Sequence, residues 1–430
     1  MIRTKIIATI GPAIDDYKKL LEICKYADII RFNFSHDTEK HFERLKILRE
    51  IEKRLNKKIV AMADLEGPKI RTGNKKPINL IASNEYDISI LEIDKKEFYE
   101  ILNAGDILLI DDGKLELKMK TERTFKPLND YLLMPHKTVS IKGKDYNIKG
   151  LTKRDLENLE KIMERDFDAI AMSFVKTRED VKELKAIAKD KIIISKIETL
   201  SAIRNIDSII EESDGIMIAR GDLALAINEE KVPTFQRKII KKCREMEKPV
   251  IVATQMLDSM IKNPNPTRAE INDVYSTVLD GPDALMLSGE TAAGLFPIDA
   301  IKTLYKTIKE AEKYAKYEET REKDKKDKIA KSAIEIAKTL KTSIIAPTKH
   351  GTTPRKIAKQ RPQFQFYVVT DVKKTFNYLH FFYGISPAFF DYEPVFKKAE
   401  KIKKIFNLKK ALFVFGYPPG NHNTNTIIYL

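Results

Sequence analysis

The sequence predicts an α/β fold centred on a closed (β/α)8 TIM barrel, and two observations support this prediction. Short β-rich runs alternate with helical segments, as in parallel strands joined by crossover helices. Nearly every run also ends in a polar residue, and the sites of such barrels lie at the carboxyl ends of the strands. The eight predicted strands cover residues 5–10, 28–33, 58–65, 169–175, 192–198, 215–221, 249–256 and 284–290.

The stretch 192–222 is the clearest of these units. Two isoleucine-rich runs flank an amphipathic segment, 201–213, that has the length of a crossover helix. The first run ends in Lys196 and Glu198, and the second ends at Asp222. Acidic and basic side chains therefore gather where two adjacent parallel strands stop.

A longer segment, 73–145, separates the third strand from the fourth. It has alternating apolar and polar residues with turn signals and little helical periodicity, which predicts a small β-barrel domain inserted into the main barrel. At the catalytic face such a domain can act as a lid that excludes water. The main barrel would then comprise residues 1–72 and 146–327.

A separate C-terminal α/β domain is predicted over residues 328–430. The charge-rich segment 316–328 before it is interpreted as a solvated helix end and linker. Beyond this linker the patterns alternate again. They predict helices at 329–340, 353–360 and 393–406 and strands at 343–347, 366–370 and 411–416.

Composition narrows the class of protein. With 43% apolar residues the chain can bury a sizeable core, and its net charge of +15 is interpreted as a lysine-rich surface because no nucleic-acid motif accompanies it. Cys24 and Cys243 stand far apart without metal-ligand spacing, which favours a reducing compartment. We expect a cytoplasmic protein that binds neither nucleic acid nor membrane, since no secretory leader or long apolar run is found.

The charged strand ends indicate a site for a divalent ion and a strongly anionic substrate. Glu198 and Asp222 are the hard-oxygen pair that Mg²⁺ or Mn²⁺ prefers, although a salt-bridged pair is the alternative. Lys196 lies on the same strand face as Glu198, and Arg31 reaches the same place from the second strand. Cations beside a metal suit a substrate with phosphate and carboxylate groups, and the backbone N–H groups of Gly221 and Asp222 add anion contacts.

Long motifs in a fixed order resemble the pyruvate kinase family along nearly the whole chain. They include TKIIATIGPA (4–13), RFNFSH (31–36), GPKIRTG (67–73), SKIE (195–198), SDGIMIARGDL (213–223), and KPVIVATQMLDSM, NPTRAE and LDGPDALMLSGETAAG between 248 and 294. The resemblance implies transfer of the phosphoryl group of phosphoenolpyruvate to ADP, giving ATP and pyruvate in the final step of glycolysis. It also implies a lid, a regulatory C-terminal domain and usually a homotetramer.

The resemblance assigns roles to matching residues. It implies that Glu198 and Asp222 hold the divalent ion, that Lys196 stabilises the transferring phosphoryl group and the enolate, and that Arg31 binds phosphoryl oxygens. Thr254 would lie near the carbon that receives a proton. The residues implied to face the nucleotide phosphates are Asn33, Phe34, Ser35, His36, Arg71 and, from the lid, Lys137.

A hydroxyl with a pKa far above 7 donates a proton poorly by itself, so Ser288 and Glu290 are a possible relay through water. From the residues alone, Ser173 and Thr254 at their strand ends could equally be helix caps. The group that supplies the proton is therefore left open.

One stretch departs from the family pattern. The family's potassium site is formed by Asn33, Ser35, Asp64 and the following residue, but Leu65 replaces the usual threonine there and Lys69 replaces a glutamate. The second change moves the local charge by two units, and an ammonium can substitute for the bound cation. We therefore expect an enzyme in which K⁺ can bind but is not required. The alternative is that Lys69 points to solvent.

In the last domain, residues 348–355 resemble the family's sugar-phosphate effector loop, where TKHGTT precedes a helix and can form a phosphate nest. His350 stands where a serine is usual, and helix capping by Thr352 and Thr353 explains the same pattern. A phosphorylated effector is accordingly a hypothesis, and fructose bisphosphate, a nucleotide and a pentose phosphate are all open.

Two other functions were compatible with parts of the pattern. A metal-dependent aldolase acting on pyruvate enolate also uses a barrel with Glu and Asp ligands, but it lacks the lid and the RFNFSH and GPKIRTG segments. A basic RNA-binding or scaffold protein on a retired barrel would require a broken site, whereas Lys196, Glu198 and Asp222 are all present.

Overall fold

Strands and helices alternate along most of the chain in the computed structural model, which describes residues 2–145, 150–418 and 423–430. The strands are β1 (Lys5–Ile10), β2 (Ile29–Asn33), β3 (Val60–Asp64), β4 (Ile78–Leu80), β5 (Tyr86–Asp87), β6 (Ile107–Ile110), β7 (Leu115–Met119), β8 (Thr124–Pro127), β9 (Tyr131–Leu133), β10 (Val139–Ile141), β11 (Ala169–Met172), β12 (Ile192–Ile197), β13 (Gly215–Ala219), β14 (Val250–Ala253), β15 (Ala284–Leu287), β16 (Ser343–Pro347), β17 (Phe366–Thr370), β18 (Ile385–Phe389), β19 (Ala411–Phe415) and β20 (Thr426–Tyr429). The α-helices are α1 (Tyr17–Cys24), α2 (Thr38–Leu55), α3 (Lys96–Glu100), α4 (Lys153–Met163), α5 (Arg178–Ile187), α6 (Leu200–Arg204), α7 (Ile206–Glu212), α8 (Arg220–Ile227), α9 (Val232–Glu245), α10 (Arg268–Asp280), α11 (Gly289–Ala292), α12 (Pro297–Tyr314), α13 (Lys325–Thr339), α14 (Thr352–Lys359), α15 (Lys373–Leu379) and α16 (Val395–Ile405).

The predicted barrel is confirmed. Strands β1, β2, β3, β11, β12, β13, β14 and β15 pair in that order, all parallel, and β15 returns to pair with β1. Alternate strand residues point to opposite sides, so side chains such as Ile7, Met62, Ile194 and Met217 fill the barrel interior while Ile6 and its equivalents pack beneath the helices. The strand ends consequently share one rim.

Several strands stop before their predicted last residue, by at most three residues. Phe174, Thr254 and Gln255 have φ angles of 54°, 68° and 53°, which belong to the left-handed region and cannot continue a strand. After β13, helix α8 begins immediately at Arg220. The polar residues assigned to the strand ends therefore lie on sharp turns or helix starts at the rim.

The crossover after β12 is two short helices, α6 and α7, instead of the single predicted helix over 201–213. The interruption falls at Asn205, whose side-chain amide donates a hydrogen bond to the carbonyl of Lys176 (2.9 Å). Asparagine competes in this way with regular helix geometry, so the prediction of one continuous helix was wrong.

The inserted segment is β-rich, as predicted. A five-stranded antiparallel sheet runs β10-β6-β7-β8-β5, and β4 pairs with β9 in a separate two-stranded sheet. The tight turn between β6 and β7 places Asp111, Asp112 and Gly113 in the left-handed region. At Gly113 an added Cβ would lie 3.3 Å from the Leu225 side chain of α8, so this turn lies against the barrel beside the rim.

The C-terminal α/β domain carries a five-stranded sheet, β18-β17-β16-β19-β20, in which β20 is antiparallel. A fully buried ion pair joins it to the barrel: Arg361 contacts Asp283 through two parallel hydrogen bonds of 2.9 Å. The predicted solvated linker is partly wrong, because Asp327 within it is fully buried between Lys356 and Lys359 (both 2.9 Å).

Across the described residues, no helix combines the length and the apolar character needed to cross a bilayer.

Candidate active site

The predicted strand-end side chains converge at the rim around a cavity of about 200 Å³. Strands β12 and β13 are apolar along most of their length, and the charges of this site lie where the two strands stop. The sequence-predicted residues that line this cavity are Arg31, Asn33, Ser35, His36, Leu65, Lys69, Arg71, Lys196, Glu198, Asp222 and Thr254.

Lys196 is the best-connected cation of the site. Its Nζ donates to Ser173 Oγ (2.7 Å) and lies 3.1 Å from Glu198 Oε1 and 3.4 Å from Asp64 Oδ1. Burial alone would lower the pKa of Lys196, but the adjacent carboxylates outweigh burial and raise it. Lys196 therefore stays an ammonium and acts here as a fixed positive charge.

Asp64 holds two cations in place. Its Oδ2 accepts a hydrogen bond from Arg31 Nε (2.5 Å), its Oδ1 faces Lys196, and its side chain is almost fully buried. Burial favours the protonated acid, yet Lys196 and Arg31 together hold the pKa of Asp64 below its ordinary value. Arg31 also donates to Thr9 Oγ1 (3.2 Å), which fixes the guanidinium at the rim.

The two candidate metal ligands, Glu198 and Asp222, each contact a lysine. Lys69 Nζ donates to Asp222 Oδ1 (2.9 Å), while Lys196 pairs with Glu198. The alternative that Lys69 points to solvent is therefore wrong. Both carboxylates face one cavity wall, so the structure contains both the carboxylate pair and the salt bridges that the sequence left as alternatives.

Electrostatic coupling between these carboxylates suits a divalent ion. Burial and the neighbouring Asp222 raise the pKa of Glu198, although Lys196 opposes them. For Asp222 burial also acts to raise the pKa, but Lys69, then Lys196, outweigh it and lower it. Within the described ranges no three His, Cys, Asp or Glu side chains form a cage. Two carboxylates are what Mg²⁺ takes when substrate oxygens and water complete its shell, so these residues fit such an ion.

Thr254 occupies a strained turn that Arg220 holds. Thr254 and Gln255 are consecutive left-handed residues, and Arg220 Nη2 donates to both of their carbonyls (2.9 and 2.5 Å). Asp273 pairs with the same guanidinium (2.9 Å). Thr254 Oγ1 accepts the N–H of Gly221 (3.0 Å), so this predicted anion donor already has a partner, and the hydroxyl serves the first turn of the preceding helix α8 instead of capping the helix after its own strand.

Ser173, by contrast, does not cap a helix. Its hydroxyl donates to the carbonyl of Leu65 (2.7 Å) and accepts from Lys196, so it orients the lysine. The side chain of Leu65 is buried, which leaves the Leu65 carbonyl as the polar group at that position.

The two residues of the predicted proton relay, Ser288 and Glu290, lie in different surroundings. Ser288 lines a neighbouring cavity of about 550 Å³, but Glu290 is fully buried and accepts hydrogen bonds from the backbone N–H groups of Leu257 (3.0 Å) and Ser288 (2.8 Å). Burial raises the pKa of Glu290. The Glu290 carboxylate thus fixes the loops around Thr254.

The neighbouring cavity also contains Asn33 and His36 of the predicted nucleotide segment. Phe34 is fully buried and its ring packs against Phe42 and Phe167 (centroids 6.1 and 5.7 Å), so its ring anchors the segment from below.

Arg71 lines the smaller cavity and pairs with Glu66 (3.3 Å). Lys137, in contrast, pairs with Asp111 inside the lid (3.0 Å) and does not reach the strand ends in this structure.

Sequence reasoning missed the groups that position the site. Ser173 was interpreted only as a possible helix cap, and Arg220 was quoted within SDGIMIARGDL without a function. A buried His41 was also missed: its Nδ1 contacts Arg44 Nη1 (3.1 Å), which can only donate, so the ring is neutral and its Nε2–H donates to the Asn33 carbonyl (2.9 Å). Only the adjacency of these residues to the recognised motifs could have pointed to them.

Comparison with known proteins gives a consistent result. The family model "Pyruvate kinase, barrel domain" matches residues 1–301, and "Pyruvate kinase, alpha/beta domain" matches residues 327–428. A pyruvate kinase of Bacillus licheniformis is 38% identical over 402 residues, covering 86% of this chain and 69% of the relative. One of Staphylococcus aureus is 37% identical over 419 residues, covering 90% of this chain and 72% of the relative. The crystal structure of pyruvate kinase from Pyrobaculum aerophilum superposes with a TM-score of 0.89 at 29% identity, with both chains fully covered.

Proposed function

The chain belongs to the pyruvate kinase family, phosphotransferases that convert phosphoenolpyruvate and ADP into pyruvate and ATP, and we propose specific roles for its residues in that reaction. The observation that carries these roles is the convergence of Arg31, Lys196, Glu198 and Asp222 on one cavity at the barrel rim.

In the transfer step a terminal ADP oxygen bonds to phosphorus as the bond between phosphorus and the enol oxygen breaks. Lys196 and Arg31 contact the phosphoryl oxygens and hold them in line for this displacement. The enol oxygen keeps the bonding electron pair, and the ammonium of Lys196 stabilises the resulting enolate. Asp64 contributes by fixing both cations before substrate arrives.

One proton must then reach the methylene carbon of the enolate to give pyruvate. Thr254 faces the cavity, and we assign its hydroxyl the delivery of this proton. Ser288, in the adjoining cavity, would pass the proton to Thr254 through water. Because Glu290 is tied to two backbone N–H groups, we assign it the positioning of this loop.

Glu198 and Asp222 would hold Mg²⁺ or Mn²⁺ through one carboxylate each. When bound, the ion supplies a Lewis acid and positive charge beside the substrate carboxylate and phosphate. Lys69 then has to leave Asp222, and the monovalent-site residues Asn33, Ser35 and Asp64 offer it new oxygen partners. On this basis we propose that K⁺ is not required.

The nucleotide is proposed to occupy the 550 Å³ cavity beside the rim, with Asn33, Ser35, His36 and Arg71 toward its phosphates. This volume is in the range of small-molecule sites. Lys137 would exchange Asp111 for a phosphate oxygen when the lid closes, since both partners are oxygen anions.

We further propose the domain limits 1–72 and 146–327 for the barrel, 73–145 for the lid and 328–430 for the C-terminal domain; the limit at 145–146 adjoins residues outside the described ranges. A cytoplasmic enzyme is supported by two buried, unpaired cysteines. A homotetramer is supported by family membership and by the edge strands β18 and β20, which can pair with another copy.

The loop 348–355 is proposed to bind a phosphorylated effector. Its Gly351 has φ 73° and donates its N–H to Thr348 Oγ1 (2.9 Å), and the turn leads directly into the N-terminus of α14. Comparing substrate saturation curves with and without each candidate effector tests this, and an unchanged curve for all of them contradicts it.

A coupled assay of pyruvate release tests the proposed roles. We expect pyruvate from phosphoenolpyruvate only when ADP and Mg²⁺ are present, and loss of at least about a hundredfold in kcat for Lys196→Met, since charge-stabilising groups are typically worth that much. Lys189→Met, at an exposed turn between α5 and β12, is the matched control and should keep wild-type activity. Consumption of phosphoenolpyruvate without ADP, or an active Lys196→Met enzyme, would contradict the assignment.

A further inference from the structure

A cavity of about 470 Å³ lies at the opposite end of the barrel from the rim, where α9 and α10 end and the linker to the C-terminal domain passes. Its lining is rich in cations. The charged residues around it are Arg237, Lys238, Lys241, Arg244 and Lys316, together with Glu245, Asp280, Glu318 and Glu319.

Three of the four acids already have cationic partners. The pairs are Asp280 with Arg237 (2.9 Å), Glu318 with Lys241 (3.2 Å) and Glu319 with Lys331 (2.9 Å). Among the described residues, Arg244, Lys238 and Lys316 have no carboxylate within 4 Å, and the remaining acid of the lining, Glu245, has no cation within 4 Å. The lining therefore carries excess positive charge.

Arg244 is the most unusual of these cations. It is 7% exposed, its Nε has no hydrogen-bond partner, and its Nη2 contacts only the carbonyls of Glu318 (3.0 Å) and Lys359 (3.4 Å). Burial, followed by repulsion from Arg361, lowers the pKa of Arg244 to about 10. Buried guanidinium groups normally pair with a carboxylate or a phosphate. Among the described residues Arg244 has no carboxylate within 4 Å, and its guanidinium lies over the Tyr317 ring, 5.8 Å from the centroid.

We propose that this cavity is a binding site for a phosphate monoester, whose dianionic group pairs with Arg244 and whose remainder lies toward Lys238 and Lys316. The volume exceeds that of a free phosphate ion and falls in the range of small-ligand sites. Because Arg244 also contacts the carbonyls of the linker and of α14, the occupant would connect the barrel to the C-terminal domain. The site is separate from both the rim and the loop 348–355.

Calorimetric titration of the full chain tests this proposal, with glycerol 3-phosphate and inorganic phosphate as separate probes. Phosphoenolpyruvate is left out because it is itself a phosphate monoester and would compete for the cavity; binding at the rim is identified as the event that Lys196→Met weakens. We expect Arg244→Met to weaken one binding event by roughly tenfold or more, because hydrogen bonds to charged groups contribute about 1.5–3 kcal/mol. Tighter binding of the ester assigns the site to organic phosphates, and equal binding assigns it to the phosphate group alone.

Two surface variants keep the test decisive if Arg244→Met fails to fold. Lys316→Met, at the cavity wall, is expected to weaken the same event roughly threefold, whereas Lys242→Met, on the same helix but paired with Asp207, should leave it unchanged. Equal affinities in the wild type, Arg244→Met and Lys316→Met would overturn the proposal, as would the absence of binding by both probes.

Discussion

Replacing Lys69 by glutamate is expected to make the activity depend on potassium, which we propose the wild-type enzyme does not require. In the structure the ammonium of Lys69 contacts Asp222, in the cavity that Asn33 also lines. The wild-type chain thus carries its own positive charge where its relatives' pattern would place a glutamate. Lys69→Glu removes that charge and adds a negative one.

The exposure of this contact sets the strength of charge interactions at the cavity edge, where Lys69 stays after it leaves Asp222. The Lys69 and Asp222 side chains are 24% and 25% exposed and lie 2.9 Å apart. Two charges about 4 Å apart interact by about 1 kcal/mol in water and about 4 kcal/mol near a protein surface. Partial exposure favours the lower end, about 1 kcal/mol per unit of charge. A change of two units then costs about 2 kcal/mol, or roughly 30-fold in activity without K⁺.

The assay measures pyruvate formation with Mg²⁺ in tetramethylammonium buffer free of K⁺ and Na⁺, then after K⁺ is added at constant ionic strength. We expect K⁺ to change wild-type activity less than about twofold and to restore most of the activity lost in Lys69→Glu. Lys120→Glu, an exposed lid lysine, has the same change in net charge and should behave as wild type. A several-fold fall in wild-type activity on removing K⁺ and Na⁺ refutes the reasoning.

Three further changes probe other parts of the molecule. Arg220→Met should lower kcat roughly tenfold or more and raise the solvent isotope effect, with a smaller change in KM, because the strained Thr254 turn loses charged hydrogen bonds of about 1.5–3 kcal/mol. Glu198→Gln should raise the Mg²⁺ concentration for half-maximal rate at least about tenfold, since one of two hard carboxylates is lost. Asp327→Asn should destabilise the fold by about 2–3 kcal/mol at pH 7, measured by urea unfolding, because its neighbours lower the pKa of Asp327 to about 2. That pKa lies below the unfolded value of about 3.9, so the contribution is complete above pH 4 and disappears as the pH falls toward 2.

Each of these three has a control on the protein surface. Arg204→Met, Glu183→Gln and Asp190→Asn alter exposed residues of the same type and should match the wild type. An unchanged isotope effect in Arg220→Met, an unchanged Mg²⁺ requirement in Glu198→Gln, or equal stability of Asp327→Asn and wild type between pH 4 and 7 would each contradict the corresponding argument.

The rim could be predicted from the sequence because one physical rule determines which residues lie there. Buried parallel strands read as apolar runs, and polar residues appear where those runs end. That rule found Lys196, Glu198 and Asp222 and the barrel around them. It could not show where each strand stops, because the left-handed turn at Thr254 depends on Arg220, which follows a different strand.

Longer-range contacts escaped prediction for a related reason. The charge-rich linker looked solvated, yet Asp327 is buried between two lysines of α14, about thirty residues further along the chain. Local charge density cannot distinguish a solvated run from one that supplies a partner to a distant helix. The single helix predicted over 201–213 failed similarly, because the amide of Asn205 bonds to a carbonyl in another loop.

At the rim, the contacts between the charged side chains matter more for function than the mere presence of those residues. Three cations, Arg31, Lys196 and Lys69, face three carboxylates of Asp64, Glu198 and Asp222, so the protein's own charges balance. Charges held in mutual contact keep their orientation without water reorganising around them. If Glu198 and Asp222 held a divalent ion, Lys196 and Lys69 would be free to contact anionic oxygens, whereas Asp64 would retain Arg31. The side chains of the rim could therefore exchange their contacts with one another for contacts with substrate and metal, with little net change of charge. The strand-end pattern alone does not reveal this exchange.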